Sequence, residues 1–99
     1  MIYFTQLIYI KEGEEETFDE FEDIALPLLE KYNGTLLLRI RPIESQVVEL
    51  TIELPYEIHL VNFKSENDFE NFKNDKTRNS FLHLKEKAIR SVLLIKGTE

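Results

Sequence analysis

The residues best suited to chemistry are concentrated in one short run, Glu57-Ile58-His59, and one basic pair, Arg39 and Arg41. Alternate residues of an extended chain point to the same side, so Glu57 and His59 share a face if this run is a strand. A carboxylate beside an imidazole fixes the ring tautomer and makes the ring a general acid or base near neutral pH. A guanidinium across the strand pair would hold substrate charge. His59 moving the proton, Glu57 tuning it and Arg39 holding charge would suit proton transfer on a small organic acid or enol. The same groups can equally form an interface network of hydrogen bonds and ion pairs with no substrate. A charge on an apolar strand is costly unless partnered, so either reading requires these groups to meet.

Four further residues are candidate ligand contacts. Gln6 and Asn62 are polar positions in strand-like apolar runs and need partners. Arg41 lies two residues beyond Arg39. Arg78 ends Asp75-Lys76-Thr77-Arg78, which reads as a helix cap; the alternative is a pocket rim for an anionic ligand. No metal site is expected: there is no cysteine, and His59 and His83 have no partner at ligand spacing. His83, in a polar helical stretch, reads as exposed or half-buried. No cofactor is implied; haem ligation by either histidine is left open without a motif to support it.

These residues must be positioned by a small number of elements. Ile2–Ile10 reads as a strand apolar on both faces, which points to burial on both sides. Glu14–Tyr32 follows a helical period, with Phe18, Phe21, Ile24 or Ala25, Leu28 and Tyr32 as the stripe and Glu15, Asp19, Glu22 and Asp23 mostly off it. Pro27 predicts a kink, and Asn33-Gly34 a left-handed stop. In Thr35–Arg41, Leu36, Leu38 and Ile40 share one face and Leu37, Arg39 and Arg41 the other. Val47–Leu54 alternates again and predicts an edge strand, or an arm pairing with a partner subunit. Tyr56–Phe63 is the third core strand. Its helix-facing set is either Tyr56/Ile58/Leu60/Asn62 or Glu57/His59/Val61/Phe63. Ser65 and Asp75 are placed to cap two helices carrying Phe69 and Phe72, then Phe81 and Leu82. Ile89–Lys96 closes the order.

Ninety-nine residues suit one domain, 1–99. The net charge of −7, from 19 acidic against 12 basic residues, argues against nucleic acid and anionic membrane surfaces. The apolar first ten residues are too short to span a bilayer and lack a basic lead, so a cytoplasmic protein is expected.

The order β-α-β-β-α-β predicts an α+β, ferredoxin-like fold: an antiparallel sheet with helices on one face. Two helical regions cover only one side of strands that are apolar on both. A second subunit is the simplest cover for the other side. The third strand lacks the basic-Gly-aromatic signature of RNA-recognition domains, and Lys11–Glu16 would repel a phosphate, which removes an acylphosphatase-like loop.

The chain resembles the dimeric α/β-barrel superfamily, especially small bacterial members related to antibiotic-biosynthesis monooxygenases and muconolactone isomerases. The resemblance covers almost the whole chain. It is carried by Ile2–Ile10, Pro27-Leu28-Leu29-Glu30-Lys31-Tyr32-Asn33-Gly34, Leu36-Leu37-Leu38-Arg39, Glu57 through Ser65, and Asp75-Lys76-Thr77-Arg78. It implies a homodimeric α/β barrel with sheets packed face to face and small molecules bound between sheet and helices. Some members work without cofactor and others with haem. Two functions follow as expectations: a monooxygenase- or isomerase-like enzyme acting on a small hydrophobic or cyclic metabolite, or a non-catalytic small-molecule-binding or stress-associated dimer.

Overall fold

Four strands find antiparallel partners in the computed structural model, which describes residues 1–98. They are β1 (Ile2–Ile10), β2 (Gly34–Ile40), β3 (Glu57–Phe63) and β4 (Ile89–Thr98), in the order β2-β3-β1-β4. Between β1 and β2 lies α1 (Glu15–Ala25). Between β3 and β4 lie α2 (Glu66–Lys73), α3 (Lys76–Ser80) and α4 (Leu82–Ala88). This is an α+β, ferredoxin-like fold. Its thinnest dimension is 17 Å, the depth of one sheet and one helical layer.

The helix ends follow local chemistry. The Ser65 hydroxyl accepts from the Asp68 N–H at 3.2 Å, and the Asp75 carboxylate from the Arg78 N–H at 2.9 Å. Pro27 cannot donate to the preceding turn, and from Leu26 to Tyr32 the helix tightens into a 3-10 form instead of kinking. The tighter winding rephases the stripe, so Leu29 is buried where the helical period favoured Leu28. Asn33 takes the left-handed conformation at φ 57°. Gly34 is needed for a different reason: a Cβ there would lie 2.7 Å from the Phe63 ring.

Two further expectations are corrected. Val47–Leu54 forms no strand among the described residues; it is an exposed, irregular arm with Val48 fully solvated. Its base is tied down by the Tyr9 hydroxyl donating to the Glu53 carbonyl (2.9 Å) and by an Arg90–Glu53 ion pair. The alternation in β2 is also broken. Leu36 pairs with Val61, but Leu38 pairs with Leu60 and Arg39 with His59, leaving Leu37 as the extra residue of a bulge. Leu38 and Ile40 therefore face away from the helices, whereas Leu36 and Arg39 face toward them. Were Leu37 paired as an ordinary strand residue, Arg39 would fall on the side opposite Leu36, because side chains alternate with a period of two.

The helices pack on the face carrying Glu57, His59, Val61 and Phe63, which resolves the orientation of β3. Two apolar clusters form there. One holds Ile2, Phe4, Leu29, Val61 and Phe63, flanked by Phe69 and Phe72; the other holds Ile8, Phe18 and Ala88. Between them the register aligns Arg39, His59, Gln6 and Leu94 in a row across all four strands. On the opposite face Leu38, Ile40, Leu93 and Ile95 are each 41–50% exposed, and Leu7, Ile58 and Leu60 are half-buried.

Candidate functional site

The row of polar residues underlies a cavity of about 80 Å³ between sheet and helices, the space of roughly three liquid waters. On its sheet side the cavity meets His59, which is 2% exposed, with the fully buried Glu57 beside it. One Glu57 oxygen accepts from Arg41 Nε at 2.7 Å. The other accepts from Arg39 Nε at 2.9 Å and also meets His59 Nε2. Asp19 on α1 completes the set by pairing with Arg41, and with Arg39 at 3.8 Å. Burial pushes the Glu57 carboxyl up, but bonds from His59, Arg39 and Arg41 outweigh it and hold the group at about 2. Glu57 is thus a carboxylate at neutral pH. A carboxylate accepts, so the His59 nitrogen against it donates.

The helix wall contributes Glu22 from α1, Arg78 from α3 and Lys85 from α4, all lining the cavity. Burial dominates each of them. It raises the Glu22 pKa, against the lowering fields of His59, Arg39 and Arg78 and with the raising field of Glu57. It lowers Arg78, against the pull of Glu22 and Asp75. It also lowers Lys85, helped by Arg78 and opposed by Glu22. The Arg78 guanidinium lies over the rings of Phe72 (5.2 Å) and Phe21 (5.8 Å), and its Nη1 donates to the Lys73 carbonyl at 3.3 Å. Its Nε is buried without a hydrogen-bond partner. Such an unsatisfied donor costs about 1–3 kcal/mol until something accepts from it. The rest of the lining is largely apolar, including Phe4, Phe63, Phe69 and Phe72.

The structure brings some of the expected residues together and separates others. Gln6, His59 and Arg78 line the cavity. Glu57, Arg39 and Arg41 form the bonded layer beside His59 and are not among the lining residues. Asn62 lies on the open face of the sheet, where its Nδ2 reaches the Met1 sulfur at 3.3 Å. Asp75 caps α3 as expected. It also accepts from the Tyr32 hydroxyl (2.5 Å) and Lys31 (3.3 Å); Tyr32, the Arg78 N–H and Lys31 outweigh burial and hold it at about 2.

Glu22 and Lys85 were not expected at a site. Glu22 was placed off the apolar stripe, yet it is only 7% exposed. The signal was present: position 22 is four residues after Phe18 and three before Ala25, central to the buried face, and α1 packs against α4 as well as the sheet. Lys85 likewise stands three residues before buried Ala88.

Among the described residues no group of three or more His, Cys, Asp or Glu is arranged to hold a metal ion. Haem does not fit: the cavity is far below the roughly 300–1,000 Å³ of cofactor-sized pockets, and Glu57 engages Nε2 of the one histidine that reaches it. His83 is exposed, beside Phe81. No described helix is long and apolar enough to cross a membrane.

The sequence matches no family model and no curated protein. Several solved structures share the fold. A protein of unknown function from Rhodopseudomonas palustris aligns with a TM-score of 0.82 at 13% identity, over 99% of this chain and 81% of that one. A protein from Nitrosomonas europaea, provisionally named an antibiotic biosynthesis monooxygenase, aligns at 0.71 and 9% identity, over 100% and 98%. A DABB family protein with a ferredoxin-like fold from Mesorhizobium loti aligns at 0.68 and 14%, over 99% and 95%. NIPSNAP proteins are also among the structural neighbours. The chain therefore has the ferredoxin-like fold of this set of small proteins.

Proposed function

We propose that the protein is a cytoplasmic homodimer that binds a small, largely apolar, oxygenated or cyclic molecule between sheet and helices and moves a proton on it. The observation that carries this reading is a cavity that reaches His59 while Glu57, ionised and held by two guanidiniums, orients the imidazole. His59 would serve as general acid or base through Nδ1. Arg39 and Arg41 act as positioning residues, because their Nε groups are committed to Glu57.

Dimerisation is supported by the open sheet face, where Leu7, Leu38, Ile58, Leu60, Leu93 and Ile95 form a side with no helix over it. The exposed arm at residues 47–54, carrying Val48, Leu50 and Ile52, would add to the partner contact. Replacing Leu60 with Arg should convert the dimer to monomer in sedimentation velocity at low micromolar concentration. A wild-type protein that sediments as a stable monomer would remove the dimer from the proposal.

The proton-transfer reading is tested by incubating the protein in D2O with a panel of small ketones, lactones and oxo acids. Loss of α C–H signal is followed by NMR. Exchange in wild type that disappears in His59→Gln is the expected result. The mutual pairing of Glu57, His59, Arg39 and Arg41 favours a second reading, a non-catalytic binding dimer. Ligand-induced thermal shifts without any exchange would decide for it.

A further inference from the structure

We infer that the molecule taken by this cavity is a short-chain monocarboxylate, its anionic group held by Arg78 and Lys85 and its apolar part against the surrounding phenylalanines. The inference rests on the binding reading above and sharpens it by naming the ligand class and the residues that select it.

The charges on the two walls do not balance alike. On the sheet wall Arg39 and Arg41 are matched by Glu57 and Asp19, so that layer is neutral when His59 is uncharged. On the helix wall Arg78 and Lys85 face a single lining carboxylate, Glu22. Asp75 does not make up the difference, because its carboxylate is shared with Lys31 and the Tyr32 hydroxyl. One positive charge is left over in the cavity of a chain whose net charge is −7. A monoanion cancels it. Burial pushes both cations and Glu22 toward their neutral forms.

The hydrogen-bonding inventory points the same way. Arg78 lines the cavity while its Nε is enclosed without a hydrogen-bond partner; a turn of the guanidinium that brings this edge to the cavity lets it meet a carboxylate oxygen, the acceptor its geometry suits best. A neutral hydrocarbon would leave both the donor and the charge unsatisfied. A phosphate, at close to two charges, would exceed the surplus and sit poorly against aromatic rings. The volume of about 80 Å³ favours a chain of a few carbons over a large ring system. Arg39, whose Nε is committed to Glu57, is not the anion holder in this arrangement.

The experiment compares butyrate with its neutral isostere butyramide on the intact protein. Binding is followed by isothermal titration and by the ¹⁵N–¹H resonance of Arg78 Nε. Butyrate is expected to bind at least about tenfold more tightly than butyramide, the size of one charge-assisted hydrogen bond, and to move the Arg78 resonance downfield. Lys85→Met, which keeps the side-chain bulk, should lose most of the preference. Arg78→Lys, which keeps the charge but loses the fork, should lose part of it.

Equal binding of the two probes, no response to butyrate, or a Lys85→Met protein that retains the full preference would each overturn the inference. Deuterium exchange on neutral ketones is a separate readout. If it persists while butyrate fails, the anion subsite falls and the proton-transfer reading stands. Butyrate selectivity without any exchange would do the reverse.

Discussion

The two walls of the cavity carry similar residue types and end in opposite conditions. On the sheet wall a buried glutamate is surrounded by two guanidiniums and an imidazole, and its pKa falls to about 2. On the helix wall, a few side chains away, another buried glutamate is raised, and the arginine and lysine beside it are lowered. Burial acts on both. The difference is that strand register delivers hydrogen-bonding partners to Glu57, whereas the charges near Glu22 act through space. The sheet wall is complete by itself. The helix wall holds uncompensated charge and an idle donor, which makes it the side that responds to a ligand.

The largest effect is expected from removing the cations that compensate the sheet wall. Replacing both Arg39 and Arg41 with Leu leaves the buried Glu57 carboxylate with His59 as its remaining bonded partner. A loss of about 4 kcal/mol in urea unfolding is expected, the range for breaking a buried pair. A double variant that costs under about 1 kcal/mol would mean that the two guanidiniums do not stabilise the buried carboxylate.

Glu57→Gln should follow at about 3 kcal/mol, because it strands two guanidiniums and the imidazole. The acid response checks the same group. Its folded pKa lies below the reference value of 4.5, so its contribution is present in full above pH 4.5 and lost as pH falls toward 2. Wild type should lose about 3 kcal/mol more than Glu57→Gln across that window, since Asp75 titrates in both. Equal acid sensitivity of the two proteins would break the contrast between the walls.

Glu22→Gln should have the opposite sign. A carboxyl raised by folding costs stability when ionised, and the cost is relieved as pH drops. The variant should therefore be more stable than wild type at neutral pH, with the gain shrinking in acid. Destabilisation at neutral pH would show that Glu22 is as well partnered as Glu57. Smallest of all, Lys85→Met should change thermal stability by about 0.5 kcal/mol or less while altering anion binding, separating structure from recognition.

Much of the fold was legible because its signals are local. Alternation marked β1 and β3, and the Ser65 and Asp75 caps marked the starts of α2 and α3. The meeting of Glu57, His59, Arg39 and Arg41 was legible too, since the second and third strands are neighbours in this topology. The arm at 47–54 misled because alternation describes a chain that could be a strand, and a strand also needs a neighbour to pair with. Glu22 was missed because a helix with two packing partners buries more than one stripe. Asn62 was grouped with the site when parity along β3, opposite to that of His59, puts it on the other face.

From the residues alone came the element order, the capped helix starts, the apolar character of both sheet faces and the chemical set around Glu57. All of these depend on neighbours within one or two turns of chain. Tertiary structure decided which face of β3 looks to the helices, that Leu37 is the extra residue of a bulge, and that Glu22, Arg78 and Lys85 converge from three helices. Those outcomes depend on pairing and packing between residues tens of positions apart. A single slip of register changes them while leaving every local pattern intact.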